Sequence, residues 1–185
     1  MTTDKLFTPL MEDKWPGELD DMKSTFADKL NIYRTMAHHP SLLRAWANLR
    51  EHIVINSTLK QQQSEVVILR TGNNLQVDYE WYHHVSRARA CGMSDDRINS
   101  IRLATKNMNI EDAIFANAVD EMMTQKKIST YTLDELLALV GKKGVLDTIA
   151  TVGFYSTLGF ILNTFNTPSR SEEHTSELQS HSDLV

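Results

Sequence analysis

Glu80 and His84 lie one helical turn apart in the segment VDYEWYHHVSRA, residues 77–88. Helical spacing puts both on the stripe of Val77, Trp81, Val85 and Ala88, which is apolar enough to face a core. A carboxylate and an imidazole buried together are costly unless each finds a partner, so the pair is the first place to look for chemistry. Glu65 adds a third group, because in SEVVILR it shares its helical face with Ile68 and Leu69. Two antiparallel helices joined by a short turn would bring Glu65, Glu80 and His84 together. In such a cluster burial raises carboxylate pKa values and a neighbouring carboxylate favours the charged imidazole, which suits proton transfer. A satisfied structural hydrogen-bond network is the competing reading of the same three residues.

The elements that must position these groups read as helices almost throughout. Ser41 after Pro40 can cap a helix whose apolar positions are Leu42, Trp46, Leu49 and Ile53. A second helix is predicted from about Gln61 to Arg70, stopping at Gly72 and Asn73, and a third from near Asn74 to a left-handed cap at Gly92. Ser94, with Asp95 and Asp96 at the positive end of the helix dipole, opens a fourth through Leu103. A fifth spans roughly Asp112 to Thr124. Thr132 and Glu135 read as the capping box of a sixth that closes at Gly141, and a last helix follows Gly144 to near Asn166. No segment alternates like a strand, so the fold class is all-α. The organisation expected is an irregular arm over 1–30, one helical domain over 31–168, and a disordered tail over 169–185. That tail, SRSEEHTSELQSHSDLV, is polar, has no apolar face and closely resembles the translation of a sequencing-library adapter, so it is expected to be non-native.

Composition narrows the function classes. The chain has 185 residues, 41% of them apolar, enough for one ordinary core. Its formal charge of −5 comes largely from the tail; without the four acids of residues 171–185, 19 bases face 20 acids. A nearly neutral body with no dense basic face predicts no nucleic-acid or membrane partner. Cys91 is the only cysteine, which excludes an internal disulfide, a CxxC redox pair and a thiolate zinc cage. Its simplest reading is a small buried hydrophobe. The N-terminus has no apolar signal core and no Arg before Arg34, and the apolar stretch 145–165 is broken by Asp147, Gly153 and Asn163 among others. A cytoplasmic protein with a buried C-terminal helix is expected.

The blocks HHPSLLRAW, SEVVILRTG and YEWYHHVSRARACGMSDDRI occur in that order, and together they resemble the carboxymuconolactone decarboxylase family over about residues 31–168. The resemblance implies an AhpD-like helical bundle. In the peroxidase branch of that family a Glu is followed by a CxxC pair and then a His; in register from Glu65, the cysteine positions fall on Val77 and Glu80 and the histidine on His84. With neither thiol present, disulfide exchange cannot run at this site, and a peroxiredoxin-type activity is disfavoured. The resemblance then implies loss of carbon dioxide from a small carboxylated lactone, or a related proton shuffle on a keto acid, with no cofactor and no metal.

On that reading His84 is the general acid or base, Glu65 orients it, and Glu80 is a second proton-handling or substrate-orienting group. Arg70 is the candidate reader of a substrate carboxylate, with an ordinary ion pair as the alternative. Tyr79, Tyr82 and Trp81 complete the substrate-binding set, although packing explains a Tyr on such a helix equally well. His83 is read as a rim residue, His38 and His39 as a solvated pair at a helix end. A metal on Glu80 and His84 lacks nameable third and fourth ligands. A noncatalytic AhpD-like binding or oligomeric protein is the alternative function. Family members assemble, so a homotrimer or homohexamer is expected.

Overall fold

The computed structural model describes residues 6–168, and within them every regular element is helical. The α-helices are α1 (Phe26–Lys29), α2 (Asn31–Met36), α3 (Pro40–Glu51), α4 (Gln61–Leu75), α5 (Asp78–Ala90), α6 (Asp95–Ser100), α7 (Ile110–Gln125) and α8 (Thr130–Phe165). A π-helical turn, His52–Asn56, continues directly from α3. The chain divides into two compact units, one drawn from the stretch up to Leu49 together with the stretch from Ile161, the other Arg50–Phe160. The expected tail over 169–185 lies outside the described residues.

In the first unit the N-terminal segment is more ordered than its weak periodicity predicts. Two short 3-10 turns, Glu12–Lys14 and Gly17–Met22, precede α1, and Trp15, Leu19, Met22 and Ala27 are buried. The Trp15 indole N–H donates to the Leu10 carbonyl at 3.1 Å, and the Leu10 N–H donates to the Arg34 carbonyl at 3.3 Å. Arg34 donates in turn to the Asp28 carboxylate at 2.7 Å and to its carbonyl at 3.0 Å. Individual anchors order this segment, and a periodicity argument has no purchase on them. His38 meets the Thr8 carbonyl at 2.9 Å, and His39 meets the Ser41 hydroxyl at 3.2 Å.

The second unit holds the core built from Val66, Val67, Leu69, Trp81, Ala88, Ile98, Phe115, Val119, Leu136, Val145 and Val152. Helix α4 is its centre, packed most extensively against α5 and α7 and buried from Glu65 through Gly72. It runs five residues past the expected stop, because Gly72 lies inside the helix and Gln76 takes the left-handed cap at φ 55°. A Cβ at Gly72 would stand 3.4 Å from the Glu80 Cβ, an ordinary contact, and the helix passes through the glycine because α5 and α7 pack along it. Helix α5 consequently starts at Asp78, later than expected, with Val77 as its N-cap.

Other boundaries shift for equally local reasons. Pro40 is the first residue of α3, a position where its missing N–H costs nothing, so Ser41 is inside the helix and is not its cap. Leu42 and Leu49 of the expected apolar stripe are exposed, while Leu43, Trp46 and Ile53 are buried. Ser94 caps α6 as predicted, accepting from the Arg97 N–H at 3.3 Å, but the helix ends at Ser100 and leaves Leu103 exposed. The expected Thr132–Glu135 box does not form. Ser129 accepts from the Thr132 N–H at 3.3 Å, the Thr132 hydroxyl donates to Glu121 at 2.7 Å, and Glu135 instead accepts from Tyr131. The two helices expected around Gly141 are both present within α8, separated there by non-helical backbone at φ 66° and ψ −179°. By length and composition α8 is apolar enough to cross a membrane, and 56% of its most apolar window is buried in this structure.

Candidate functional site

The close passage of α4 and α5 fixes the side chains that follow. Glu65 projects from the first turns of α4, and Glu80 and His84 from successive turns of α5. His84 Nδ1 stands 2.6 Å from Glu65 Oε2, and its Nε2 stands 3.4 Å from Glu80 Oε2. The first distance is that of a strong charge-assisted hydrogen bond; the second is a longer and weaker one. Arg87, one turn beyond His84, donates from Nε to Glu65 Oε1 at 3.1 Å. Glu65 is 1% exposed, and Glu80 and His84 are 5% exposed, so three ionisable groups share an almost dry space.

Burial by itself would lower the His84 pKa, since it penalises the imidazolium. The hydrogen bonds to Glu65 and Glu80, together with their charges, outweigh it and raise the value from 6.5 to about 9. At neutral pH the centre is therefore an imidazolium between two carboxylates, with the Arg87 guanidinium on the outer oxygen of Glu65. Its formal charges cancel. Next door, burial lowers the His83 pKa, only partly offset by Glu80, so the two adjacent histidines diverge. His83 packs against the Tyr79 ring with centroids 4.6 Å apart.

A cavity of about 330 Å³ opens beside this cluster. Its walls are Ile53, Val54 and Ile55 of the π-helical turn, Ser57, Leu59, Gln61, Ser64, Glu65 and Ile68 around the start of α4, Arg87 of α5 and Tyr155 of α8. Glu65 and Arg87 are its charged residues. His84 is not in the wall; it sits behind Glu65, with its ring edge-to-face against Tyr155 at a centroid distance of 5.0 Å. Glu65 faces the cavity and His84 backs it.

The turn that forms one wall is held from α8. Asp147, 6% exposed, accepts from the Thr58 N–H at 2.7 Å, the Thr58 hydroxyl at 2.6 Å and the Ser57 hydroxyl at 3.3 Å, and pairs with His52 Nε2 at 2.8 Å. Burial raises its pKa, but these bonds more than compensate and hold the carboxyl below its ordinary value. Among the described residues no three His, Cys, Asp or Glu side chains take up a metal-holding arrangement.

Several expected substrate contacts point elsewhere. Arg70 donates to both Asp120 oxygens, to the Ile101 carbonyl at 2.7 Å and to the Leu103 carbonyl at 2.8 Å. It ties α4 to α7 and to the chain after α6, with no fork left for a substrate. Tyr82 is 70% exposed, and Trp81 is in the core with the Arg102 guanidinium stacked 3.7 Å from its ring centre. Tyr79 is buried outside the cavity wall. The Cys91 thiol donates to the Ala88 carbonyl at 3.2 Å, and burial followed by the charge of Glu65 pushes its pKa up, away from a reactive thiolate.

Arg87 and Tyr155 are the site residues that sequence reasoning passed over. The signal for Arg87 was available, since a residue three after His84 shares its helix face. Tyr155 and the 53–55 turn are brought in from distant sequence and carried no local sign.

The family model of the carboxymuconolactone decarboxylases matches residues 40–120, the span that supplies Glu65, Glu80, His84 and Arg87. The match spans less than half of the chain. No curated protein matches the chain. Among solved structures, an uncharacterized peroxidase-related protein from Silicibacter sp. TM1040 is 15% identical, with 94% of this chain and 97% of that one covered and a TM-score of 0.71. The AhpD core of an uncharacterized peroxidase-related protein from Ralstonia eutropha JMP134 is 14% identical at a TM-score of 0.74, covering 90% and 94%. The debrominase Bmp8 is 13% identical at a TM-score of 0.72, covering 91% and 94%. At these identities the family segment and its surroundings share the AhpD-like fold with those proteins, and the fold alone.

Proposed function

We propose that this chain is a lyase or isomerase that works by proton transfer on a small carboxylated lactone or keto acid. The observation that carries the reading is a cavity whose wall contains one carboxylate, Glu65, hydrogen-bonded at 2.6 Å to a buried imidazolium. Loss of carbon dioxide next to a conjugated carbonyl breaks the carbon–carboxylate bond. The electron pair moves to the carbonyl oxygen, and the resulting enolate carbon must take up a proton. The proton starts on His84 Nδ1, passes to Glu65 and from the cavity wall to the enolate carbon, which leaves Glu65 a carboxylate again, and the imidazole takes up its replacement from solvent. Glu80 keeps the imidazole charged for the next turnover. The same wiring run without carboxylate loss moves a proton between two carbons, which is isomerisation. The aliphatic wall of Ile53, Ile55 and Ile68 lowers the local dielectric and strengthens each of these interactions.

The cavity volume, at the small end of the range for ligand sites, suits a compact ring acid. Assembly belongs to the same reading. Helix α8 leaves Leu146, Ile149 and Phe160 exposed, apolar surface of the kind that subunits cover in a homotrimer or homohexamer, and a 21.1 kDa monomer by light scattering would remove that part. A binding protein without turnover is the second reading, favoured because both imidazole nitrogens face carboxylates in a closed network.

The deciding experiment is a screen of carboxylated lactones and 3-oxo acids for carbon dioxide release with wild type, Glu65→Gln and His84→Gln. Release by the wild type that falls about 100-fold or more in each folded variant is expected. Release that both substitutions leave intact would remove these residues from the mechanism. Ligand binding without release across the panel would establish the second reading.

A further inference from the structure

We infer that Arg87 is the residue that reads the ligand's charge: it captures a carboxylate, or an anion of the same planar shape, at the mouth of the cavity. The inference rests on that cavity being the ligand site. A guanidinium offers five N–H groups, and Arg87 commits only Nε, to Glu65 Oε1 at 3.1 Å. Among the described residues neither of its Nη nitrogens has a partner, while the residue borders the cavity and its side chain is 44% exposed. The contrast with Arg70 and Arg97 is informative. Arg70 spends its nitrogens on Asp120 and two carbonyls, and Arg97 spends its own on Asp112 and Gln62. Those two guanidiniums are structural, and Arg87 is half-used.

Its single bond also matters, because it tethers Nε to Glu65 and leaves the edge bearing the two Nη groups for a bidentate partner. Glu65 would repel the same anion if its charge were unmet, but His84 and Arg87 each cover one of its oxygens. The Gln61 amide and the Ser64 hydroxyl supply neutral donors around the same opening, and the aliphatic residues take the body of the ligand. The chemistry recognised is a small monoanion with an apolar ring or chain.

The test uses benzoate and benzamide, two probes of one shape that differ in charge, titrated into the full-length protein at low salt and followed by NMR. Wild type should bind benzoate about tenfold more tightly than benzamide, the worth of a charged bidentate contact over a neutral one. Arg87→Gln should bring the two affinities within a factor of about two, and Arg87→Lys, which keeps charge without the fork, should retain part of the preference. Equal binding of the two probes by wild type overturns the inference. So does a tenfold preference that survives in folded Arg87→Gln, or no binding of either probe at tens of millimolar, a concentration any real anion site would register. Because binding needs no turnover, a protein that discriminates the probes but releases no carbon dioxide sinks the lyase reading and keeps this one.

Discussion

Raising the pH should unlock the site before it unfolds the rest of the protein. His84 holds its proton to about pH 9 in the folded state, against 6.5 in an exposed chain. A folded pKa above the unfolded one contributes stability that is fully present below pH 6.5 and is lost as pH rises through 9. At about 1.4 kcal/mol per tenfold change in proton affinity, the whole effect is about 3 kcal/mol, and roughly 1 kcal/mol of it remains to be lost between pH 8 and 9.5. His84 is 5% exposed, so solvent screening removes little of this. The assay is urea denaturation of wild type and His84→Gln at half-unit steps from pH 6 to 9.5, with the difference between the two curves read at each pH. The difference should be largest at pH 6 and shrink toward pH 9.5. A difference that stays flat, or an imidazole that titrates below 6.5 when followed by NMR, would show that the two carboxylates do not outweigh burial and would refute the electrostatic account of the site.

Two further perturbations follow from the same structure. Asp147→Ala strips the partners from His52, Ser57 and Thr58 and leaves the Thr58 N–H unmet, so it should cost about 2–4 kcal/mol in chemical denaturation; a loss under about 0.5 kcal/mol would mean that water replaces the carboxylate without penalty. Gly141→Ala meets no atom within 4 Å but must adopt φ 66°, ψ −179°, so it should destabilise by about 1–3 kcal/mol through backbone strain alone; an unchanged melting temperature would show that the kink is free to relax.

Much of the site was legible because helix periodicity is a local property. The spacing of Glu80 and His84 put them on one stripe, Glu65 shared a face with Ile68, and the structure brings all three within one hydrogen-bonded cluster. Arg70 shows the limit of that reasoning. Its position on α4 was legible, but whether its fork met a ligand or Asp120 depended on where α7 runs, and no local pattern encodes that. Gly72 misled for a related reason: a glycine in sequence signals a stop, whereas here the packing of α4 against α5 and α7 carries the helix through it. The order of the relay was equally hidden. Sequence spacing says which residues meet, but not which of them faces the open side.

From residue spacing alone come the all-helical class, the acid and imidazole pairing across α4 and α5, and the absence of a CxxC pair, because each follows from residue type and a repeat of three to four. The tertiary structure decides the cavity, the place of Glu65 in its wall, the half-free Arg87 and the Asp147 tether on the 52–58 wall. Those depend on residues separated by tens of positions, and packing, which selects their geometry, acts on the folded chain as a whole.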